Sequence, residues 1–231
     1  MMDTSDITFE YLFTFPDGTS KHFILALDPQ TLLLKNKTVQ EPDWARLTTH
    51  QCQCCARDPE TTTFCPVALN ISHLVSSFIS IASYESCTVS CKTLERTVSK
   101  KTIVQDGLSS IMGIIMATSG CETMNVLKPM ARFHLPFATV DESVFRTASI
   151  YLLRQFFIDR ETGSGDFQLK YLKQQWSQIE QVNEGILRRI KAANKLDADR
   201  NAIVVLNCLA QILTMELDED LSSLKPIFFI N

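Results

Sequence analysis

A strict alternation of apolar and polar side chains near the N-terminus constrains the fold most. The apolar members stand at every second position: Ile7, Phe9, Tyr11, Phe13 and Phe15. A period of two residues is typical of a half-buried β-strand. Pro16-Asp17-Gly18 follows and predicts a turn, because proline presets φ and glycine accepts a positive φ. With a second strand at Lys21–Asp28 and a short third at Thr31–Leu34, residues 1–40 are predicted to form a β-meander.

Helical spacing replaces this alternation in most of the remaining chain. Residues 85–102 return to a strand pattern, and residues 104–118 predict a buried helix. A capping box begins at Thr139, where a threonine is followed three residues later by a glutamate. From there on, helices are predicted throughout, the last one from near Asp197 to about Leu217.

The length and composition of the chain indicate one compact domain. A chain of 231 residues with 45% hydrophobic residues can bury a substantial core. We predict four parts: a β-meander at 1–40, a cysteine-rich loop at 42–65, a helix–strand–helix unit with a central segment at 66–138, and a helical part at 139–231. The predicted fold class is α+β. A small antiparallel sheet, made from the N-terminal meander and a later strand, packs on about five helices, and the C-terminal third is wholly helical.

The charge of the chain argues against two classes of partner. The net charge is −4 and the basic residues are scattered, whereas nucleic-acid binding proteins usually carry a basic patch. The N-terminus lacks the pattern of a signal peptide. The uncharged stretch at 65–84 contains too many polar residues to span a membrane. We therefore expect a cytoplasmic protein that binds neither nucleic acid nor membranes, and whose partner is a protein or a small molecule.

A cluster of cysteines is the most specific local motif. Cys52, Cys54 and Cys55 lie within four residues, and Cys65 follows immediately before Pro66, which suits the first position of a helix. In a reducing compartment, such clustering favours metal binding or reactive thiols over disulfides.

The spacing within this cluster fits zinc. Cys52 and Cys55 are separated by two residues, which allows two thiolates to bind one ion, and Zn²⁺ prefers four thiolate or imidazole ligands. The predicted ligands are His50, Cys52, Cys55 and Cys65. Three other residues could take the fourth position instead of His50: Cys54, Cys121 and His134. A redox-active thiol group and a metal-free loop are the alternatives to zinc. Three further cysteines are expected to be buried apolar residues without chemistry: Cys87, Cys91 and Cys208.

Residues 116–137 predict a functional surface, because irregular segments of this length are uncommon in compact domains. If the segment is extended, Arg132 and His134 share one side, and both are predicted to bind a ligand. The other side would anchor three apolar residues in the core: Phe133, Leu135 and Phe137. Alternatively, His134 could activate the thiol of Cys121 as a catalytic pair. A purely structural role for the segment is the third interpretation.

Five segments along the chain form a recognisable set. They are the region of Cys52, Cys55 and Cys65, MATSGC at 116–121, PMARFHLPFA at 129–138, Phe145-Arg146 with YLL at 151–153, and DADRNAI at 197–203. Together they resemble an uncharacterised bacterial protein family, a domain of unknown function. The resemblance spans most of the chain and implies a shared fold, without an activity, substrate or cofactor. In that family a proline tends to follow the cysteine of MATSGC, whereas this chain has Glu122.

Three functions remain open from the sequence. The first is a cytoplasmic binding or regulatory protein with a zinc-stabilised cysteine-rich site. The second is a thiol-dependent enzyme or redox sensor that uses Cys121 and His134. The third is a small-ligand-binding protein with its pocket under residues 121–137. The chain has no G-x-S-x-G, H-E-x-x-H, Walker or G-x-G-x-x-G motif, so whether it is an enzyme stays open.

Overall fold

A four-stranded antiparallel sheet and a group of helices make up the computed structural model, which describes residues 5–35, 40–193 and 198–229. The strands are β1 Ile7–Thr14, β2 Ser20–Leu27, β3 Ser86–Lys92 and β4 Thr97–Ile103. Their order in the sheet is β2-β1-β3-β4, so that β1 is a central strand. The helices are α1 Pro66–Ser77, α2 Val104–Thr118, α3 Lys128–Arg132, α4 Val140–Thr162, α5 Lys170–Ala193, α6 Ala198–Asp218 and α7 Lys225–Phe228.

The alternating apolar residues of β1 form a half-buried strand, as predicted. Phe9, Tyr11 and Phe13 are buried on one face of the sheet. In the register, Tyr11 lies opposite Phe23 on β2 and opposite Cys91 on β3. The α+β class is confirmed, with a C-terminal region that is helical from α4 to α7.

Two strand predictions need correction. The predicted strand at 85–102 is a hairpin of two strands, since a turn at Thr93–Arg96 separates β3 from β4. Thr31–Leu34 is not a strand, and Leu34 forms only an isolated bridge with Leu27. The reason lies in Asp28, whose carboxylate accepts hydrogen bonds from the backbone of Thr31 at 2.8 Å and of Gln30 at 3.1 Å, and so favours a turn.

Helix α2 begins directly after β4 and lies close against the sheet. The closest approach is at Gly107, where a Cβ atom would stand 2.5 Å from Cε1 of Phe13 and 2.8 Å from Cγ2 of Val89. Both neighbours are fully buried. Only a glycine allows the helix to come this near. At Gly113, two turns further along α2, the nearest atom to such a Cβ is Leu206 Cδ2 at 4.0 Å, which is an ordinary contact.

The C-terminal helices pack on the other side of α2. Helix α4 begins with the predicted capping box, in which Thr139 and Glu142 exchange hydrogen bonds, and ends at Gly163 with φ of 70°. Helix α5 packs against α6, and α6 against α2. The predicted start of the last helix near Asp197 lies outside the described residues. One segment of α6, Arg200–Asp218, is long and apolar enough to cross a membrane by length and composition alone, and here it packs against other helices.

The three cysteines outside the cluster differ in burial. Cys87 and Cys91 are buried in the sheet, as predicted. Cys208 is exposed, so its predicted burial is wrong. The inward face of α6 carries Ala210 and Leu213, and a residue two positions before Ala210 points to nearly the opposite side of a helix.

Candidate functional site

A cavity of about 300 Å³ lies between α2, α4, α5 and α6, beneath the segment that follows α2. Its walls are mostly apolar, and the larger apolar side chains are Ile114, Met116, Met124, Met130, Trp176 and Leu206. Lys100 and Asp106 also belong to the lining, and Asp106 accepts a hydrogen bond from the Thr102 hydroxyl at 2.8 Å. Concave, largely apolar pockets with a few polar groups are the usual form of small-molecule sites.

The central segment is folded differently from its prediction. It forms a 3-10 turn at Thr123–Leu127 and the short helix α3, so it does not run extended before residue 133. Phe133 is 70% exposed, and its predicted anchoring in the core is wrong. Arg132 is exposed as well, with its guanidinium 5.5 Å from the Phe133 ring centre, and it lies outside the cavity lining. His134 does line the cavity.

His134 connects the cavity to the sheet through hydrogen bonds. Its Nε2 lies 2.6 Å from the hydroxyl of Tyr11, which in turn lies 2.8 Å from the hydroxyl of Ser110. The ring of Phe9 meets the imidazole edge to face, with 5.6 Å between ring centres. Tyr11 is wholly buried, whereas part of His134 faces the cavity and leaves that residue half-buried.

The protonation states in this chain of hydrogen bonds follow from burial. Burial, together with the charge of Arg146, lowers the pKa of His134 to about 3. Burial also raises the pKa of Tyr11 well above its usual value. His134 is therefore neutral at neutral pH, and we assign the Tyr11 hydroxyl as the donor to its Nε2. The Ser110 hydroxyl can then donate to the oxygen of Tyr11.

Arg146 supplies a partly buried cation to the cavity wall. Its Nη2 donates to the carbonyl oxygens of Met130 at 3.1 Å and Phe133 at 2.7 Å. Burial lowers the pKa of this guanidinium, and the charge of Glu142 opposes that effect. Across the described ranges, no carboxylate forms an ion pair with Arg146. An arginine has five N–H donors, so Nη1 and Nε stay available to a ligand.

Asn183 is a second polar group that sequence reasoning missed. It is 3% exposed and lines the cavity from α5. Within the part of the chain that the structure describes, its side-chain amide has no hydrogen-bond partner. The signal was present in the sequence, since Asn183 interrupts the apolar stripe of Ile179, Val182 and Ile186. No comparable pattern distinguishes Arg146 from a surface arginine.

Cys121 and His134 do not form a bonded pair in the described residues. His134 is occupied by Tyr11, while the thiol of Cys121 lies near Cys55 and Cys65 and beside the backbone amides of Thr123 and Met124. Burial is the main cause that raises the pKa of Cys121. A thiolate–imidazolium pair needs a lowered cysteine pKa and a protonated histidine. Here the pKa of Cys121 is raised and that of His134 is lowered, so both groups are neutral.

Backbone hydrogen bonds join the beginning of the cysteine-rich loop to its end, and a side-chain bond joins the loop to the residues after α2. Leu47 donates to Thr63 and Cys65 donates to Ala45, both at 2.9 Å. Arg57 reaches across to donate to the carbonyl oxygen of Gly120 at 2.9 Å. The bond from Arg57 brings the loop next to the end of α2, and hence next to Cys121.

The five candidate cysteine ligands occupy one neighbourhood. The pKa of Cys52 is raised to about 12 by burial and by the nearby thiols of Cys65, Cys54 and Cys55. Cys65 and Cys55 also lie near Cys121, and their charges add to the rise in its pKa. Cys54 donates to the carbonyl oxygen of Gln178 at 3.5 Å. His50 has a left-handed backbone with φ of 48°.

The spacing of these groups is wider than that of a formed metal site. Among residues 5–35, 40–193 and 198–229, no three His, Cys, Asp or Glu side chains are placed closely enough to hold a metal ion. The zinc site at His50, Cys52, Cys55 and Cys65 stays a prediction.

Arg189 lies beside the cysteines and is the largest fully buried side chain of the described residues. Its guanidinium donates to the carbonyl oxygens of Trp44, Arg46 and Leu47, which fixes the start of the cysteine-rich loop on α5. Its Nε has no hydrogen-bond partner in the structure as described. One turn earlier, a Cβ at Gly185 would lie 2.5 Å from Sγ of Cys52, so this thiol occupies the space that the missing side chain leaves.

Comparisons with known proteins identify a family without assigning a function. A family model described as Domain of unknown function (DUF6901) matches residues 9–229. Neither a curated protein nor a solved structure matches the chain. The resemblance to a domain of unknown function, predicted from the five segments, is confirmed. Because the match spans nearly the whole chain, this protein belongs to the DUF6901 family.

Proposed function

We propose that this protein binds a small carboxylate with an apolar body in the cavity between α2, α4, α5 and α6. The observation that carries the proposal is the position of Arg146, a half-buried cation in the cavity wall that has no ion pair among the described residues. The carbonyl oxygens of Met130 and Phe133 accept hydrogen bonds from Nη2 but do not neutralise the charge, which an anionic ligand at Nη1 and Nε would do.

The walls of the cavity favour an apolar body for the ligand. Met116, Met124 and Met130 line it together with Trp176 and aliphatic residues. Methionine side chains are flexible and polarisable, and adapt to alkyl or aromatic groups of different shapes. The groups of a ligand that is polar throughout would face these apolar walls without hydrogen-bond partners.

The polar groups of the cavity favour a carboxylate as the head group. The free N–H groups of Arg146 suit a planar anion, and charge-assisted hydrogen bonds of this kind are stronger than neutral ones. The amide of Asn183 offers a further donor and acceptor. Among the lining residues Lys100 and Arg146 are basic and Asp106 is acidic, so the lining carries one net positive charge.

Binding of octanoate and decanoate tests this function. Trp176 lines the cavity and Trp44 is the other tryptophan of the chain, so a Trp44→Phe variant reports on the cavity alone through its fluorescence. We expect the carboxylates to change this fluorescence and to bind about tenfold to a hundredfold more tightly than their methyl esters, since one charge-assisted contact is worth about 1.5–3 kcal/mol. Isothermal titration calorimetry measures the same affinities directly.

Two arginines provide a matched pair of variants. Arg146→Gln is expected to reduce carboxylate affinity to that of the ester, whereas Arg132→Gln should leave it unchanged because Arg132 is exposed and outside the cavity lining. Gly113→Leu should block both ligands by filling the cavity while all polar groups remain. Equal losses in both arginine variants, or no binding of any probe to the unmodified chain, would refute the proposal.

We also propose that the protein acts in the cytoplasm as a binding or regulatory protein. All eight cysteines are free thiols, which suits a reducing compartment. Fractionation of cells that produce the full chain tests the location. Recovery of the chain with secreted proteins, or with disulfides between its cysteines, would contradict it.

A further inference from the structure

We propose that the thiols of Cys52, Cys55, Cys65 and Cys121 bind one Zn²⁺ ion, and that the buried guanidinium of Arg189 is the counter-charge of the resulting site. This inference is independent of ligand binding in the cavity, because it uses none of the residues that hold the carboxylate. It concerns the opposite end of the central segment, where the cysteine-rich loop meets α5 and the end of α2.

The loop already presents two of the thiols from one turn. The amide of Cys55 donates to the carbonyl oxygen of Cys52 at 3.0 Å, which gives this pair the compact turn that Cys-x2-Cys metal sites use. Cys65 immediately precedes α1, and its amide is tied to Ala45. Closing the site requires rotation of side chains, and Cys52, Cys55 and Cys121 are only half-buried.

Cys121 is a better fourth ligand than the alternatives. The amides of Thr123 and Met124 lie near its sulfur, and the Met124 amide donates to the carbonyl oxygen of Cys121 at 3.1 Å, which holds this thiol at the end of α2. Cys54 is engaged with the carbonyl oxygen of Gln178, and His134 is engaged with Tyr11 in the cavity. The sequence pattern alone left these choices open.

Arg189 is the independent observation that points to a negatively charged site. Helical side chains lean toward the N-terminus of their helix, so Arg189 leans toward Gly185 and therefore toward the sulfur of Cys52. The guanidinium is wholly buried, its Nε is unpaired, and it forms no ion pair in the described ranges. Three backbone carbonyl oxygens accept hydrogen bonds from the guanidinium but do not neutralise its charge, and protonated thiols do not neutralise it either.

Zinc binding would supply the missing negative charge. Four thiols and one Zn²⁺ ion give a zinc tetrathiolate with two negative charges and release four protons, which pass to the solvent. No change of oxidation state is involved. The guanidinium of Arg189 then neutralises part of the charge of the complex from the side of α5. Soft thiolate ligands in a tetrahedron select zinc over magnesium or calcium.

Metal analysis of the full chain tests the site. We expect one zinc per chain after purification under reducing conditions without chelators, and a tetrahedral cobalt–thiolate absorption spectrum when Co²⁺ replaces zinc. Cys52→Ser and Cys55→Ser should abolish this spectrum. Cys54→Ser and Cys208→Ser are the matched controls and should retain it, because Cys54 is engaged elsewhere and Cys208 is exposed on α6.

Two variants on α5 test the role of the counter-charge. Arg189→Met should weaken zinc binding by about tenfold to a hundredfold, as is usual for groups that support metal ligands, and Arg189→Lys should recover part of the loss. If Arg189→Met fails to fold, Gly185→Ala tests the zinc site itself and should weaken zinc binding, since the added Cβ displaces the sulfur of Cys52 while the charge of Arg189 remains. A chain without a cobalt–thiolate spectrum, or a spectrum that persists in Cys52→Ser and Cys55→Ser, would overturn the proposal.

Discussion

Replacing Gly107 by alanine is expected to lower the free energy of unfolding by about 2–3 kcal/mol. The added Cβ would stand 2.5 Å from the ring of Phe13 and 2.8 Å from Val89, and both side chains are buried on the sheet. Neither can move without disturbing its own neighbours, so α2 must shift away from the sheet. Urea denaturation, followed by circular dichroism, measures the change.

Gly113→Ala is the matched control for this prediction. Gly113 lies on the same helix, but its added Cβ meets nothing nearer than 4.0 Å. Alanine has a higher helix propensity than glycine, so we expect this variant to gain about 0.5–1 kcal/mol. A Gly107→Ala protein as stable as the Gly113→Ala protein would show that α2 does not approach the sheet as described.

Lowering the pH from 6.5 to 5 is expected to reduce the free energy of unfolding by about 1–2 kcal/mol through His134 alone. The pKa of this histidine is about 3 in the folded protein, against an ordinary value of 6.5. Between these values the unfolded chain binds a proton that the folded chain does not. The contribution of neutral His134 is therefore complete above pH 6.5 and is lost progressively as the pH falls toward 3.

A His134→Gln variant separates this effect from other acid-sensitive groups. Glutamine does not titrate, and its side-chain oxygen can still accept a hydrogen bond from Tyr11. Stability measured by urea denaturation at several pH values should therefore fall less steeply in the variant between pH 6.5 and 3. Identical slopes in the two proteins would mean that His134 takes up a proton in the folded state.

The parts of the fold that the sequence predicted correctly are those with a regular period. The alternation around Tyr11 gave the central strand and its buried face, because a strand exposes its two faces at successive residues. The capping box predicted the beginning of α4 because its two members, Thr139 and Glu142, are only three residues apart. Both signals depend on neighbouring residues and do not require knowledge of the tertiary structure.

The errors occur where tertiary contacts or local polar groups decide the conformation. The carboxylate of Asp28 turns the backbone at Thr31, so a stretch of strand-forming residues does not extend the sheet. The Arg132–Phe137 region was interpreted with a period of two, but α3 occupies its first part and leaves Phe133 in solvent. As a result Arg132 and Phe133 both lie in solvent, whereas His134, Leu135 and Phe137 all line the cavity.

The candidate site was predicted in part. The central segment does line the cavity, and His134 faces it. Arg146, named only within the Phe145-Arg146 segment, and Asn183 were not predicted as site residues, because they come from α4 and α5 and their meeting depends on how the helices pack. Arg189 could not be found either, since a wholly buried arginine has the same sequence surroundings as an exposed one.

The strand order of the sheet has a consequence for the order in which the protein folds. Strand β1 pairs with β2 through a short turn, but its other edge pairs with β3, where Tyr11 meets Cys91. Pairing between such distant residues requires closure of a long loop and slows folding, whereas the hairpin forms quickly. During synthesis the hairpin emerges before β3. Until residues 86–118 have left the ribosome, one edge of β1 has no partner strand, and the face that carries Phe13 is not yet covered by α2.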